Sequence, residues 1–176
     1  MIIETNSREA LFVAKAVYKP QGKANVVNSA IKRILATQTH LIATDGKRLH
    51  GAPNTSEIEP GTYTIIKQTK TCLFLDKHED DIFPNWQQIA KQEGFEPSDK
   101  DIYMNFICNG SLSKLVVAIN KATGLIIDHR FLLDVEGLYA RVKNASYGKP
   151  LCFGDLDGFF AIITPLNDEQ KRGIEK

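Results

Sequence analysis

The chain has 176 residues, of which 43% are hydrophobic and 24% are charged, and its formal net charge is +1. These proportions are typical of a soluble globular protein with a sizeable core rather than of a disordered chain, and the near-neutral charge does not by itself indicate nucleic-acid binding. The longest apolar runs are about half of the ~20 residues that a membrane span needs. The first residues, which include Glu4 and Glu9, contain no apolar stretch of signal-peptide length. We therefore expect a cytoplasmic protein with no membrane partner.

The charges are unevenly distributed along the chain. Residues 1–50 hold eight basic and three acidic side chains, whereas residues 51–110 hold five basic and ten acidic ones. The first part can therefore form a basic patch that the overall charge conceals.

The first elements predicted are a strand over Ile2–Glu4 and a helix over Ser7–Tyr18. Asn6 is placed to cap this helix, with Glu9 as its capping-box partner. The helical wheel gives an apolar side of Ala10, Val13, Ala14 and Val17, bordered by Leu11 and Tyr18. The opposite stripe consists of Arg8, Lys15 and Lys19. Taken alone, this stripe indicates a solvated face.

Strand-like sequence follows up to residue 75. The predicted strands are Val26–Thr37 and His40–Arg48, joined by a tight turn at Gln38-Thr39, and the run Gly61–Leu75. Residues 76–101 are acidic and polar, with an aromatic turn at Phe83–Trp86 and a short helix ending over Ile89–Glu93.

The remaining sequence predicts a second set of strands around one helix. The predicted elements are a hairpin of Ile102–Asn109 and Lys114–Lys121, a strand over Gly124–Asp128, an amphipathic helix over Arg130–Lys143, and a hairpin of Pro150–Gly154 and Phe159–Pro165. A helix with antiparallel strands thus occurs twice. This order predicts an α+β fold made of two half repeats, each a helix on an antiparallel sheet.

Catalytic signatures are absent from the sequence, which has no Walker loop, G-x-G-x-x-G, H-E-x-x-H or G-x-S-x-G pattern. The histidines lack metal-ligand spacing, and we interpret the acidic run His78–Asp81 as a surface loop. The cysteines, Cys72, Cys108 and Cys152, lack Cys-x-x-Cys spacing and are interpreted as buried, inert thiols. We therefore expect a non-catalytic protein with no metal and no cofactor. An enzyme that uses the acidic cluster near His78 lacks the partner groups that catalysis needs.

The most informative segment is Ala43–Leu49, with the sequence Ala-Thr-Asp-Gly-Lys-Arg-Leu. Physically it reads as a strand, a bend that needs Gly46, and a continuation with basic groups. It resembles the Ala-Thr-Asp-Gly-His-Arg-Leu segment of bacterial sliding clamps, the β subunits of the replicative polymerase. Phe83–Trp86 resembles the turn that closes a clamp domain, and Phe131–Val135 and Phe160–Leu166 resemble a clamp's second helix and terminal strand.

The resemblance implies a DNA-clamp-like fold and a non-catalytic, DNA-associated protein that supports processivity or docks partners. It implies one clamp-like domain over residues 1–166, with an insertion near 76–101 and a polar C-terminal tail over 167–176. In the family, two helices per domain face duplex DNA and bind phosphate without reading bases. The DNA-binding residues so implied are Arg8, Lys15 and Lys19 on the first helix, and Arg141 and Lys143 on the second. Since one domain cannot encircle DNA, we expect a homo-oligomer.

Clamps also bind peptides of replication and repair proteins in an apolar pocket. By matching position, the pocket residues implied here are Thr44, Gly46, Arg48 and Leu49 on one side, and Ile163, Pro165 and Leu166 on the other. The alternative is that Leu49, Ile163 and Leu166 are core residues. The near-neutral charge also leaves open a second function, a clamp-fold interaction or regulatory module that binds a protein and does not bind DNA.

Overall fold

The computed structural model describes residues 2–17, 30–78, 83–93, 102–105, 116–117, 119–121, 124–135, 138–142 and 150–166. The chain divides into two compact units. The first unit comprises residues 1–86 together with Leu156–Phe159, and the second comprises residues 87–155 together with 160–176. In the described part of both units, the strands pair antiparallel around buried apolar side chains.

In its described residues, the first unit is a sheet with an α-helix near its start. Its elements are β1 (Ile2–Thr5), α1 (Arg8–Ala14), a 3₁₀ turn (Ala30–Lys32), β2 (Arg33–Ala36), β3 (His40–Thr44), β4 (Arg48–Pro53), β5 (Gly61–Gln68) and β6 (Leu73–His78). The strands pair in the order β1-β6-β5-β2-β3-β4. A register shift between Ile65 and Lys67 interrupts the pairing of β5 with β6. Helix α1 packs on β3 and β4.

The core of the first unit follows the expected periodicities. Along α1, the side chains of Ala10, Val13 and Ala14 are fully buried, as the helical wheel predicted. Along β6, Leu73 and Leu75 are fully buried, and the residue between them points to the other face of the sheet. The alternation in the strands and the spacing in the helix therefore assemble one core between α1 and the sheet.

The described strands of the second unit have four residues each. The elements of this unit include α2 (Trp86–Glu93, whose first residue belongs to the first unit), β7 (Ile102–Asn105), α3 (His129–Asp134), β8 (Tyr139–Val142), β9 (Leu151–Gly154) and β10 (Phe160–Ile163). The strands pair in the order β10-β9-β8-β7. Buried side chains from α3 and from the β9–β10 hairpin include Phe131, Leu132, Phe153 and Phe160.

In the first unit, the predicted elements are confirmed with changes at their ends. The turn at Gln38-Thr39 is present, because Thr37 N donates to His40 O at 2.8 Å and Thr37 Oγ1 accepts from His40 N at 2.8 Å. The predicted run His40–Arg48 contains β3 and the turn after it, and only Arg48 belongs to β4, because the chain reverses between these strands. The predicted run Gly61–Leu75 contains β5 and the first residues of β6. The predicted cap is wrong by one residue: Ser7 Oγ, and not the Asn6 side chain, accepts from Ala10 N at 3.0 Å.

The predicted helix over Arg130–Lys143 is confirmed only over its first residues, 130–134. Helix α3 ends at Asp134, and Tyr139–Val142 is the strand β8. The apolar spacing of this stretch suits a helix, but Gly137 has poor helix propensity and the β-branched Val142 favours a strand. Pairing with β7 and with β9 then stabilises the strand rather than the helix.

Two further predicted strands are also wrong. Residues 116–117 and 119–121, within the predicted strand Lys114–Lys121, are helical. Their helix ends in a tight turn in which Gly124, at φ +68°, donates its N–H to Asn120 O at 2.7 Å. As a result β7 pairs with β8, and not with the predicted hairpin partner. The predicted strand Gly124–Asp128 pairs with none of the described strands; Ile126 O accepts only a single bond, from Leu166 N at 2.8 Å.

Several predicted features lie outside the described residues. They are Tyr18 and Lys19 of the first helix, Val26–Ser29, Glu79–Asp81, Cys108, the Asn109–Ser111 turn, Lys143 and the tail 167–176. The division into one domain over 1–166 with an insertion near 76–101 stays a prediction. Within the described part of the chain, no helix is both long and apolar enough to span a membrane.

Candidate nucleic-acid interface and the motif hairpin

Two cations stand on the exposed side of α1. Arg8 and Lys15 are both exposed, and seven residues along a helix correspond to a rise of about 10 Å. The Arg8 guanidinium lies 5.0 Å from the ring centroid of Phe159, and Lys15 Nζ lies 6.0 Å from that of Phe12. Cation–π contacts of this kind hold the charges in place without neutralising them. The pair, which we call the α1 cation face, can present positive charge to an anion.

Aromatic side chains support the α1 cation face from below. The Phe12 ring stacks on His50, with centroids 4.7 Å apart and an angle of 17° between the planes. Phe159 meets Phe12 edge-on at 5.2 Å. These aromatic residues were missed by the sequence reasoning. Phe12 lies beside the apolar stripe of the helix in sequence, whereas nothing local signals that Phe159 packs against it.

His50 is the most strongly perturbed titratable group described. Its pKa is lowered from 6.5 to about 3, chiefly by burial; the hydrogen bond to Phe12 opposes this shift, and the nearby charges of Arg48 and Lys15 add to it. Its Nδ1 lies 3.2 Å from Phe12 O, so Nδ1 carries the proton of the neutral ring and donates it there. Its buried Nε2 has no hydrogen-bond partner among the described residues. His50 is therefore a neutral, packed ring that ties β4 to α1.

The motif segment forms the hairpin turn between β3 and β4. Asp45 Oδ1 accepts from Lys47 N at 2.9 Å and from Arg48 N at 3.0 Å. Thr44 Oγ1 donates to Arg48 O at 2.7 Å and accepts from Gly46 N at 3.1 Å. Gly46 has φ +84°, a conformation that side chains with a Cβ rarely adopt. The structure thus confirms the predicted need for a glycine in this bend.

Arg48 is engaged within its own unit. Its Nε donates to Asp45 Oδ2 at 3.0 Å, and its Nη2 donates to the carbonyl oxygen of Lys15. The Arg48 side chain is only 11% exposed. It therefore connects the motif hairpin to the end of α1, a contact that the sequence did not predict.

The residues implied for a peptide pocket belong to both units. Thr44 and Leu49 are cross-strand neighbours, so their side chains share the sheet face opposite to that of His50. Leu49 is 3% exposed, which suits a core residue. In the second unit, Ile163 is buried in β10, whereas Pro165 and Leu166 follow the strand and are half-buried. The pocket as a whole stays a prediction.

Among its described residues, the second unit does not reproduce the α1 cation face. Helix α3 carries Arg130, whose Nη2 lies 2.6 Å from Asp128 Oδ2. Asp128 is also the N-cap of this helix, and the hydrogen bond from Arg130 lowers the pKa of its carboxyl. Arg141, predicted on a helix, lies in the strand β8.

The described cysteines differ in their surroundings. Cys152 is buried in β9, as predicted, whereas Cys72 is half-buried just before β6. The Cys72 thiol donates to Glu4 Oε1 at 3.3 Å, and burial together with this bond raises its pKa. Such a thiol is a weak nucleophile. Within the described residues, no group of three or more His, Cys, Asp or Glu side chains is arranged to hold a metal ion.

Comparison with known proteins gives similarity in structure only. No protein-family model matches the chain, and no curated protein sequence matches it. The chain superposes on the Helicobacter pylori β clamp bound to a DNA ligase peptide with a TM-score of 0.51 and 11% sequence identity. It superposes with a TM-score of 0.50 on both the Bartonella birtlesii sliding clamp bound to griselimycin, at 13% identity, and Caulobacter crescentus pol III β, at 12%. The fold is that of the sliding clamps.

These matches confirm the predicted α+β, clamp-like fold, with a helix and antiparallel strands in each half. Each covers 94% of this chain and 65% of the clamp chain. The chain therefore spans about two thirds of the length of the clamps that it matches.

Proposed function

We propose that this chain is a non-catalytic, clamp-fold protein that binds duplex DNA through the α1 cation face. The observation that carries the proposal is the placement of Arg8 and Lys15, both exposed on one short helix and supported by aromatic rings. The described residues give Arg8 no acidic partner, so its charge is available to a phosphate. The clamp fold supports the same proposal.

The chemistry of this face suits phosphate and not bases. Long cationic side chains on a helix surface contact the backbone of a duplex and release its counterions. Such contacts position a protein on DNA but carry no sequence information. We therefore expect binding that is independent of sequence and that weakens steeply with salt, as a processivity or docking role requires.

The test is a salt-dependent titration of a labelled DNA duplex against the wild type and Arg8→Glu/Lys15→Glu. Reversing both charges should abolish binding at low salt. The matched control is Lys67→Glu/Lys70→Glu, which makes the same charge change at exposed positions of β5 and the turn after it. Helix α1 packs mainly on β3 and β4 and not on β5. The control variant should therefore keep most of the affinity for DNA. Absence of binding by the wild type at low salt would reject the proposal.

We further infer that the chain docks peptides of replication or repair proteins. The support is the motif hairpin, together with the structural match to the Helicobacter pylori clamp, which was solved with a DNA ligase peptide. Proposed contact residues remain Thr44, Gly46, Arg48 and Leu49, with Ile163, Pro165 and Leu166. If peptide binds and DNA does not, the chain is the protein-interaction module that forms the second candidate function.

Self-association is the last part of the proposal. Strand β1 pairs with β6 on one side, and no described strand pairs with its other side. It carries Ile2, which is 66% exposed. An open strand edge with an exposed apolar residue is a site where a second copy of a chain can add a strand. The mass in solution tests this directly, and a monomer at all accessible concentrations would contradict it.

A further inference from the structure

Two side chains of β4 reach carbonyl groups in the last turn of α1. His50 Nδ1 donates to Phe12 O at 3.2 Å, and Arg48 Nη2 donates to Lys15 O. The two residues are separated by one position along a strand, so their side chains lie on the same face. Phe12 O also accepts from Lys15 N at 3.2 Å, so His50 adds a second donor there. Arg48 reaches the carbonyl of Lys15, the C-cap residue, and a cation beside the C-terminal end of a helix favours the helix dipole. Strand β4 therefore supplies a cap to α1 from outside the helix.

Asp45 holds the arginine that forms this cap. Its Oδ2 accepts from Arg48 Nε, while its Oδ1 accepts from the backbone of Lys47 and Arg48. The guanidinium thus has one edge fixed by the hairpin turn and one nitrogen directed at α1. The two contacts come from two different nitrogens of the rigid guanidinium fork, Nε and Nη2, whereas lysine offers a single nitrogen on a flexible stem.

We propose that Asp45 and Arg48 form a clasp that positions the C-terminal end of α1, and with it Lys15, for phosphate binding. The inference rests on the proposed DNA binding by the α1 cation face. Asp45 and Arg48 act through Lys15 as positioning residues and do not themselves contact the DNA. The low exposure of the Arg48 side chain, 11%, agrees with this role.

Asp45→Asn gives the sharpest test, because net charge and the clasp predict opposite changes in the affinity for DNA. The asparagine oxygen still accepts the two backbone bonds, so the turn is kept while the charge that holds Arg48 is lost. The variant is also one unit more positive, which by itself should strengthen DNA binding. The clasp predicts instead that binding weakens by roughly three- to tenfold, the range of a coupling between contacting residues. The dependence of the binding constant on salt concentration should also become weaker, by the equivalent of about one phosphate contact at most.

The matched control is Glu57→Gln, which makes the same charge change at an exposed position in the loop before β5. It should bind DNA at least as tightly as the wild type. Arg48→Lys keeps the charge but loses the fork, so it should weaken binding as much as Asp45→Asn does. The double variant should be no weaker than either single one, since all three break the same clasp. Melting curves identify the temperatures at which each variant is folded, and DNA binding is compared only there. If Asp45→Asn does not fold, the binding of Arg48→Lys tests the clasp in its place.

Amide hydrogen exchange gives a readout that does not depend on DNA. Loss of the clasp should speed exchange at Ala16 and Val17, which donate to Val13 O and Ala14 O in the last turn of α1, but not at residues of β5. Unchanged exchange there, or Asp45→Asn binding DNA as tightly as Glu57→Gln, would overturn the clasp. A wild type that binds no DNA would overturn the proposed function instead, and the exchange rates would still decide whether the clasp exists.

Discussion

Each unit contains a short helix with a polar N-cap and a nearby arginine, but the two arginines are held differently. On α1, Arg8 follows the cap Ser7 and lies over the ring of Phe159. On α3, Arg130 folds back onto the cap itself, with three hydrogen bonds to the carboxylate of Asp128. An arginine over a ring keeps its net charge for an outside anion, whereas an arginine on a carboxylate does not.

This contrast shows that the position of a cation on a helix does not decide whether it can bind phosphate. The first unit caps α1 with a neutral serine, so the cap does not compensate the charge of Arg8. The second unit caps α3 with an aspartate and thereby neutralises its arginine. We therefore assign the proposed DNA contacts to α1 and not to α3.

The largest expected effect is on stability. It distinguishes the peptide-docking residues proposed in the first unit from those proposed in the second. Leu49 is 3% exposed and lies on the sheet face opposite to that of His50, so Leu49→Asp places a charge at a buried position of the first unit. We expect a loss of more than about 4 kcal/mol in the free energy of unfolding, because the charge has no partner there. Leu166 in the second unit is half-buried, and Leu166→Asp should cost much less. Urea denaturation of both variants measures the difference.

Leu166→Asp is thus the variant with which peptide docking is best examined. If the proposed docking is correct, it should weaken the binding of a clamp-type peptide while the protein stays folded. A stable Leu49→Asp protein would show that Leu49 is not a core residue, and it would support the place of Leu49 among the proposed peptide contacts.

A smaller effect concerns pH and is confined to the first unit. The pKa of His50 is about 3 in the folded protein and 6.5 as the reference, so between these values the unfolded state binds the extra proton. The stabilisation that His50 contributes as a neutral ring is fully present above pH 6.5 and is lost as pH falls. The loss should be roughly 1.4 kcal/mol per pH unit down to about pH 4. His50→Leu cannot take up a proton, and its stability should lack this component.

The control for the pH effect is His129→Gln, since His129 is exposed at the start of α3. Urea denaturation at neutral and acidic pH should give the same pH slope for this variant as for the wild type. Equal slopes for His50→Leu and the wild type would show that His50 does not resist protonation in the folded state.

The fold of the first unit was predictable because its sequence signals are local. The apolar spacing in α1, the alternation in the strands and the bend at Gly46 each lie within a few residues, and each specifies its own element. The family resemblance added the clamp fold, through a motif whose glycine and polar side chains build one turn. What local sequence could not provide was the contact of Arg48 with α1, since Lys15 lies 33 residues away.

The second unit was predicted poorly because its elements depend on distant pairing. The stretch after Arg130 has apolar residues at helical spacing, yet Tyr139–Val142 becomes a strand between β7 and β9. Tertiary pairing overrides local propensity in such short elements. The same applies to the candidate site: the cations on α1 were found by helical spacing, while Phe159, which lies far away in sequence, was not.

The smallest expected effects return to the two arginines. Arg8→Gln and Arg130→Gln each remove one charge from an exposed side chain, so any effect of net charge alone is the same for both. Each should change the free energy of unfolding by less than about 1 kcal/mol, because exposed pairs contribute little. In a DNA titration, Arg8→Gln should lower the salt slope by roughly one contact. Arg130→Gln should leave the slope unchanged, since Asp128 already occupies that arginine. Equal slopes for the two variants would show that the carboxylate of Asp128 does not withhold Arg130 from DNA, and the contrast between α1 and α3 would then fail.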